Sequence, residues 1–209
     1  MTKRVHVVDH PIARHKLGIL RDRHTKPHEF RQILGELSQI LAYEATRDLT
    51  LARADIETPM QRTTVERVSE PLVLASIYRA GEGMLGGFLQ MLPFASVGHI
   101  GIYRDKTMQQ TVEYYFKLPD EMKGKKVLLL DPLLGTGDTC LAALDRLKDY
   151  EVGPIKVVTL LSAETGLHKV LTSHPDVEIY TLSIEEGLND LGYLLPGLGD
   201  AGDRLFGTK

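Results

Sequence analysis

Between Lys126 and Leu147 the chain reads KVLLLDPLLGTGDTCLAALDRL. Val127 to Leu130 is a short apolar run, the mark of a strand buried on both faces of a parallel sheet. Asp131 and Pro132 end it. Leu133, Leu134, Gly135, Thr136, Gly137, Asp138 and Thr139 follow as a tight turn, and from Cys140 apolar residues return at helical spacing, at Leu141, Leu144 and Leu147. Gly135 and Gly137 let backbone N–H groups come close to a ligand, and Thr136 and Thr139 add hydroxyl donors. The helix start adds unpaired N–H groups and a positive dipole end. That is chemistry for holding a phosphate. Asp131 can accept from sugar hydroxyls or hold a metal-bound water. No Gly-Lys-Ser/Thr follows the glycines, so this is not a Walker A loop. An ordinary strand-to-helix turn with capping residues has the same local pattern, so the rest of the chain must decide.

A second stretch points to anions. Leu72 to Ile77 is another buried strand, and it runs into Tyr78-Arg79-Ala80-Gly81-Glu82-Gly83-Met84-Leu85-Gly86. The three glycines satisfy G-x-G-x-x-G, which admits a dinucleotide site, but the motif lies deep in the chain and not at a first strand. Arg79 before them suits an anion at the strand end. Further on, Ser96 to Ile102 reads as a strand, and a polar tip leads to the aromatic return Thr111 to Pro119. Arg104 and Lys106 near that tip could swing over a polyphosphate, or simply be solvated surface cations. His6, His10 and His15 lack a carboxylate or Cys at ligand spacing, so a solvated surface is expected there. Cys140 lies on an apolar helix start, which suits burial better than reactivity.

The elements that must position these groups alternate. Pro27 to Leu49 is an amphipathic helix, with Phe30, Ile33, Leu34, Leu37, Ile40, Leu41 and Ala45 on one face and Thr25 as a candidate cap. Residues 50–70 read as extended or loop, with a possible edge hairpin between Ile56 and Val68. Ile155 to Ser162 reads as one strand, Glu164 to Leu171 as a helix and Val177 to Ser183 as the last core strand. Strand and helix alternation from 72 to 183 predicts an α/β fold: an open, mostly parallel sheet with helices on both faces. Ligands in such folds sit outside the carboxyl ends of the strands. The 209 residues suit a single domain, with a core at about 27–183 and a hairpin arm at about 101–119. A net charge of -3 gives no reason to expect nucleic-acid binding, and one cysteine fits a reducing compartment. No apolar run reaches membrane-spanning length and the start lacks a signal-peptide core, so a cytoplasmic protein is expected.

The tail, residues 184–209, is rich in glycine, yet Leu194, Leu195 and Leu198 argue for packing. Backbone exposed at Gly199 and Ala201 can read a planar base. Taken together these stretches resemble uracil phosphoribosyltransferases, of the type I phosphoribosyltransferase fold. The resemblance rests on the Asp131-Pro132 loop, Arg79-Ala80-Gly81 before Gly83-Met84, Tyr103-Arg104 with Glu113-Tyr-Tyr-x-Lys-Leu-Pro119, Pro196 to Gly202, and the ending Gly-Asp-Arg-Leu-Phe-Gly-Thr-Lys209. It covers essentially the whole chain. It implies formation of UMP and diphosphate from uracil and phosphoribosyl pyrophosphate (PRPP), with Mg2+ held mainly by PRPP and not by a protein metal site. It places Arg79, Arg104, Asp131 and Asp200 in catalysis, and adds Pro132 to Thr139 as the PRPP loop. Leu194, Gly199, Asp200 and Ala201 would bind uracil in a C-terminal base-binding hood. It also implies a homodimer or homotetramer, with GTP as a possible effector. Two acids depart from the family pattern: Glu82 where an apolar residue is usual, and Asp138 where the loop usually has glycine. Both would repel a polyanion unless turned away or paired. They keep open a weakly active or altered-specificity paralogue, and a nucleotide-sensing regulator on the same fold.

Overall fold

The computed structural model describes residues 4–105 and 110–208, the side chains of 104, 105 and 110 excepted. In chain order the elements begin with β1 (Val5–Val7), α1 (Pro11–Arg21), α2 (Pro27–Ala45), β2 (Leu51–Glu57), β3 (Arg62–Val68), β4 (Leu72–Tyr78) and α3 (Glu82–Met91). The middle of the chain forms β5 (Ser96–Asp105), β6 (Gln110–Lys117), β7 (Lys126–Leu130), β8 (Leu133–Leu134) and α4 (Asp138–Lys148). Then come β9 (Ile155–Val158), β10 (Leu161–Ala163), α5 (Glu164–Ser173), β11 (Glu178–Thr181) and β12 (Ser183–Glu185). The tail holds β13 (Gly187–Leu188), β14 (Leu194–Leu195) and α6 (Ala201–Phe206).

The main sheet has the order β1-β11-β9-β7-β4-β5-β6, parallel throughout except for the antiparallel β5–β6 pair. Its central strands are apolar on both faces, because both faces are covered. Leu72 and Leu74 of β4 join Leu128 and Leu130 of β7 against α2 and α3. The alternate residues Val73, Ala75, Ile77, Val127 and Leu129 pack against α4 and α5. The predicted α/β sheet with helices on both faces is therefore the observed fold. Among the described residues no helix is long and apolar enough to cross a membrane.

The topology itself makes a crevice. Neighbouring β4 and β7 send their connections opposite ways: α3 packs on one face and leads to β5, α4 packs on the other and leads to β9. The chain therefore parts at their carboxyl ends, where open α/β sheets place ligands. The Arg79 and Asp131 loops leave from those two ends.

Some elements differ from expectation. The stretch Ile155 to Ser162 is two strands in different sheets, because Leu160 and Leu161 turn their N–H groups onto the Pro132 carbonyl at 3.0 and 3.1 Å. Leu161 then starts the middle strand of a small parallel sheet, β12-β10-β8. Val177 to Ser183 likewise divides between β11 and β12. The 27–49 helix ends at Ala45, and its cap is Lys26; the Thr25 hydroxyl instead donates to the Ile19 carbonyl at 2.5 Å. Helix α1 was not expected from the sequence. His10 caps it, accepting from the Ile12 N–H, and Pro11 occupies its first turn. Residues 51–68 form a full two-stranded hairpin.

Candidate active site

The chain leaves β7 at Asp131, whose N–H donates to the Val158 carbonyl at 3.2 Å. Pro132 is buried, and its carbonyl also accepts the Thr159 hydroxyl at 2.9 Å, so it anchors the loop from behind. Leu133 and Leu134 pair with β10, which turns the chain back before the glycines. Gly137 has φ of 86°, a left-handed conformation that a side chain would strain, and α4 begins at the next residue. The result is a cleft of about 180 Å³ lined by Asp131, residues 133–140 and Gly192, Tyr193 and Leu194. A helix N-terminus and the Thr136 and Thr139 hydroxyls favour an anion there, against the two carboxylates of Asp131 and Asp138 in the same lining.

Asp131 sits at the edge of this cleft. Burial pushes its carboxyl up to about 7, although an N–H of Leu133 works the other way. Cys140 beneath the loop is buried, and its thiol is pushed well above the usual range by burial and then by Asp131. It is thus a poor nucleophile.

Both unexpected acids are held by partners. Asp138 accepts the Thr136 hydroxyl at 3.0 Å and the ammonium of Lys169 on α5. Glu82 lies 3.4 Å from His99 Nδ1, which is also 3.0 Å from the Ser76 hydroxyl. The glycines of the G-x-G-x-x-G stretch have a packing reason. A Cβ on Gly81 would lie 2.3 Å from the Leu130 carbonyl, and one on Gly83 would meet Leu205 and Leu34 at 2.6 Å. Gly86 has open space.

The loop is also braced from α5. A Cβ on Gly166 would stand 2.3 Å from the Gly135 carbonyl oxygen, a backbone atom that cannot swing aside. Gly166→Ala is therefore expected to push α5 and the loop apart. Phosphate-ester binding, read by calorimetry, should weaken at least tenfold, with a loss of about 1–3 kcal/mol in stability. Unchanged affinity would show that the loop does not depend on this contact.

Arg79 reaches a different group of residues. Its guanidinium donates to Asp203 at 3.2 Å and to the Thr208 hydroxyl at 3.4 Å, and half of the side chain remains exposed. A Cβ on Gly202 would lie within 3.2 Å of Asp200 and 3.4 Å of Arg79, so those two expected site residues meet at the start of α6. Asp200 caps α6 by accepting the Asp203 N–H at 2.9 Å. Asp203 is a link that sequence reasoning missed. Arg104 belongs to β5, but its side chain and the whole of Lys106 lie outside the described residues.

The tail is packed as a hood. Gly199 has φ of 82°, and Leu194, Leu198 and Ala201 are buried. A polar latch ties the hood to α1: Arg21 donates to both oxygens of Glu185 at 2.7 and 2.6 Å and to the Gly197 carbonyl at 2.8 Å. The Gly197 N–H and the Ser183 hydroxyl each donate to Glu185 at 2.8 Å. Burial alone would raise the Glu185 carboxyl, but Arg21 and these donors hold it below the usual range. Arg204 adds donations to the Leu20, Leu198 and Asp22 carbonyls. Asn189 shapes the turn before Leu194, its side chain accepting from the N–H groups of Leu191 and Tyr193 at 3.0 and 2.9 Å. That turn touches the loop: a Cβ on Gly135 would be 3.2 Å from the Gly192 carbonyl. Of the expected residues, Asp131, Leu133 to Thr139 and Leu194 share one cleft. Asp200, Ala201 and Arg79 gather around the start of α6.

A model of the uracil phosphoribosyltransferase family matches residues 7–208. The chain belongs to that family. It is 50% identical over 206 residues to a uracil phosphoribosyltransferase of Acidovorax ebreus, covering 98% of this chain and 99% of that one. To the Myxococcus xanthus protein of the same description it is 50% identical over 204 residues, 97% of each chain. A solved structure from Aquifex aeolicus superimposes with a TM-score of 0.92 at 37% identity, covering 97% of both chains. The fold alone extends further, to an adenine phosphoribosyltransferase of Leishmania donovani, with a TM-score of 0.59 at 12% identity over 90% of this chain and 86% of that one. As a family member, the chain is a phosphoribosyltransferase, with the type I fold that the sheet order describes.

Proposed function

We propose that this chain forms UMP and diphosphate from uracil and PRPP. The observation that carries the proposal is that the anion-holding loop and the start of the hood line one cleft, at Asp131 to Cys140 and at Gly192 to Leu194. Leu194, one of the residues read as contacting the base, thus stands beside the loop read as holding the phosphate. The 5-phosphate rests on the N–H groups and hydroxyls of Gly135 to Thr139, over the start of α4. Asp131 accepts from the ribose hydroxyls. Arg79 stabilises charge on the pyrophosphate as it leaves, a role the family resemblance also gives Arg104. Leu194, Gly199 and Ala201 receive uracil, with Asp200 between base and PRPP. The new bond joins uracil N1 to ribose C1, the C1–O bond to diphosphate breaks, and the N1 proton leaves to solvent. Holding both substrates in register with water excluded supplies much of the rate.

Mg2+ fits this arrangement. Asp131 offers a hard oxygen at the cleft's edge, the donor type that Mg2+ takes. Bound mainly by PRPP oxygens, the ion would neutralise the polyphosphate. We further propose a single cytoplasmic domain acting as a homodimer or homotetramer, with GTP as effector. The pairing of Asp138 with Lys169 favours a competent enzyme over a weakly active paralogue.

The test is UMP formation from uracil, PRPP and Mg2+, with orotate, hypoxanthine and uridine as controls. Turnover is expected with uracil alone, at a kcat/KM of at least about 10⁴ M⁻¹s⁻¹, and is expected to stop on chelation. No turnover from folded protein would overturn the proposal and make a regulator the next reading to test.

A further inference from the structure

An acid in a phosphate loop needs an explanation. The Asp138 side chain stands at the first position of α4, within the lining of the cleft. One carboxylate oxygen takes the Thr136 hydroxyl at 3.0 Å, a donor that a bound phosphate would also want. The other takes the Lys169 ammonium. Lys169 lies three residues after Gly166 on α5, so the two share a helix face. That face forms the outer wall of the loop. Gly166 abuts the Gly135 carbonyl, and a Cβ on Gly137 would be 3.6 Å from Lys169 Cβ.

We propose that Lys169 is a positioning residue for the 5-phosphate of PRPP. It acts through Asp138, neutralising the carboxylate so that a loop carrying an acid can still receive an anion. The proposal rests on the PRPP reading of the cleft. Without Lys169, the Asp138 carboxylate repels the incoming phosphate and competes with it for the Thr136 hydroxyl. The pair itself is too open to matter much for folding: the Lys169 side chain is 46% exposed. Exposed pairs contribute little to stability, so the effect should fall on the ligand and not on the fold.

The test is a double-mutant cycle with two readouts: the KM for PRPP, and the Kd for ribose 5-phosphate by calorimetry, which needs no turnover. Lys169→Ala is expected to raise both about tenfold, with kcat within twofold and Tm within about 1 °C. The deficit should shrink as salt rises, because an exposed charge is screened. Lys169→Arg should recover most of the loss. Asp138→Gly alone should tighten both constants severalfold, and adding Asp138→Gly to Lys169→Ala should restore most of the lost affinity. An unchanged Kd in Lys169→Ala, or no recovery in the double variant, would overturn the role of Lys169. Wild-type protein that binds no ribose 5-phosphate would instead overturn the reading of the cleft.

Discussion

Asp131→Asn is expected to give a protein that is more stable at pH 8 yet nearly inactive. Burial raises this carboxyl from 3.8 to about 7, so the folded chain keeps a proton that the unfolded chain has lost between those values. Folding stability therefore falls as pH rises through that window and levels off above about 7. The cost at pH 8 is on the order of 2 kcal/mol, after allowing for water at the cleft's edge. Asparagine has no charge to bury. Its Tm should exceed the wild type's by about 4–8 °C at pH 8, and the gain should nearly vanish near pH 4. Activity moves the other way. On the proposed reading the amide loses the charged acceptor for the ribose hydroxyls, at about 1.5–3 kcal/mol for each hydrogen bond, so kcat/KM for PRPP should drop about 10²- to 10³-fold. Thermal melts at the two pH values, set beside PRPP kinetics, check both halves. An equal Tm gain at both pH values would mean that Asp131 is not the group that titrates, and kinetics within fivefold would remove it from the ribose site.

The second large effect concerns the latch. Glu185 is 4% exposed and takes four hydrogen bonds, from Arg21, Ser183 and Gly197. Glu185→Ala leaves the Arg21 guanidinium and the Gly197 N–H without their acceptor. Breaking a buried pair costs about 3–5 kcal/mol; Arg21 keeps some contact with water, so about 3 is expected, or roughly 6–12 °C in Tm. Glu185→Gln keeps the shape and loses the charge, so it should fold with a smaller loss. In both variants uracil should be affected more than PRPP, because Gly197 leads directly into Leu198 and Gly199 of the hood. A rise of tenfold or more in KM for uracil is expected in Glu185→Gln, with KM for PRPP within threefold. Equal changes in both constants would mean that the latch supports the whole fold and not the base site. Because Glu185 is held below 4.5, its contribution is complete above that pH and is lost as pH falls through the folded value. The difference between wild type and Glu185→Gln should therefore close in acid.

The parallel sheet was legible because its signal is local and strong. Runs such as Leu72 to Ile77 and Val127 to Leu130 have to be apolar when both faces are covered. The turn after β7 was legible for the same reason: Gly135, Thr136 and Gly137 follow such a run directly and lead into α4. Helix α1 was not read, although Ala13, Leu17 and Leu20 carry its buried face at helical spacing. Pro11 stands in its first turn, where a proline begins a helix and does not break one. The break in Ile155 to Ser162 depends on the Pro132 carbonyl, far away in sequence, which no local pattern encodes. The same holds for what the acids do. Asp138 and Lys169 are 31 residues apart, and Arg79 and Asp203 are 124 apart. Charge type was visible in the sequence, but partnership is a property of the folded chain.

The latch has a consequence for the order of events during synthesis. Arg21 and Glu185 are 164 residues apart, and Arg204 reaches back 184 residues to Leu20. Contacts this distant in sequence are slow to close, and the first partner emerges from the ribosome well before the second exists. At about 5–20 residues per second the interval is roughly 10–30 s. The β7 loop and the α5 helix that braces it are made in that time, whereas Arg79 still lacks Asp203 and Thr208 and the tail has nothing to close it. Closure of the tail is thus the last step in shaping the nascent chain, and a chain interrupted before residue 185 lacks Gly192 to Leu194, which form one side of the cleft.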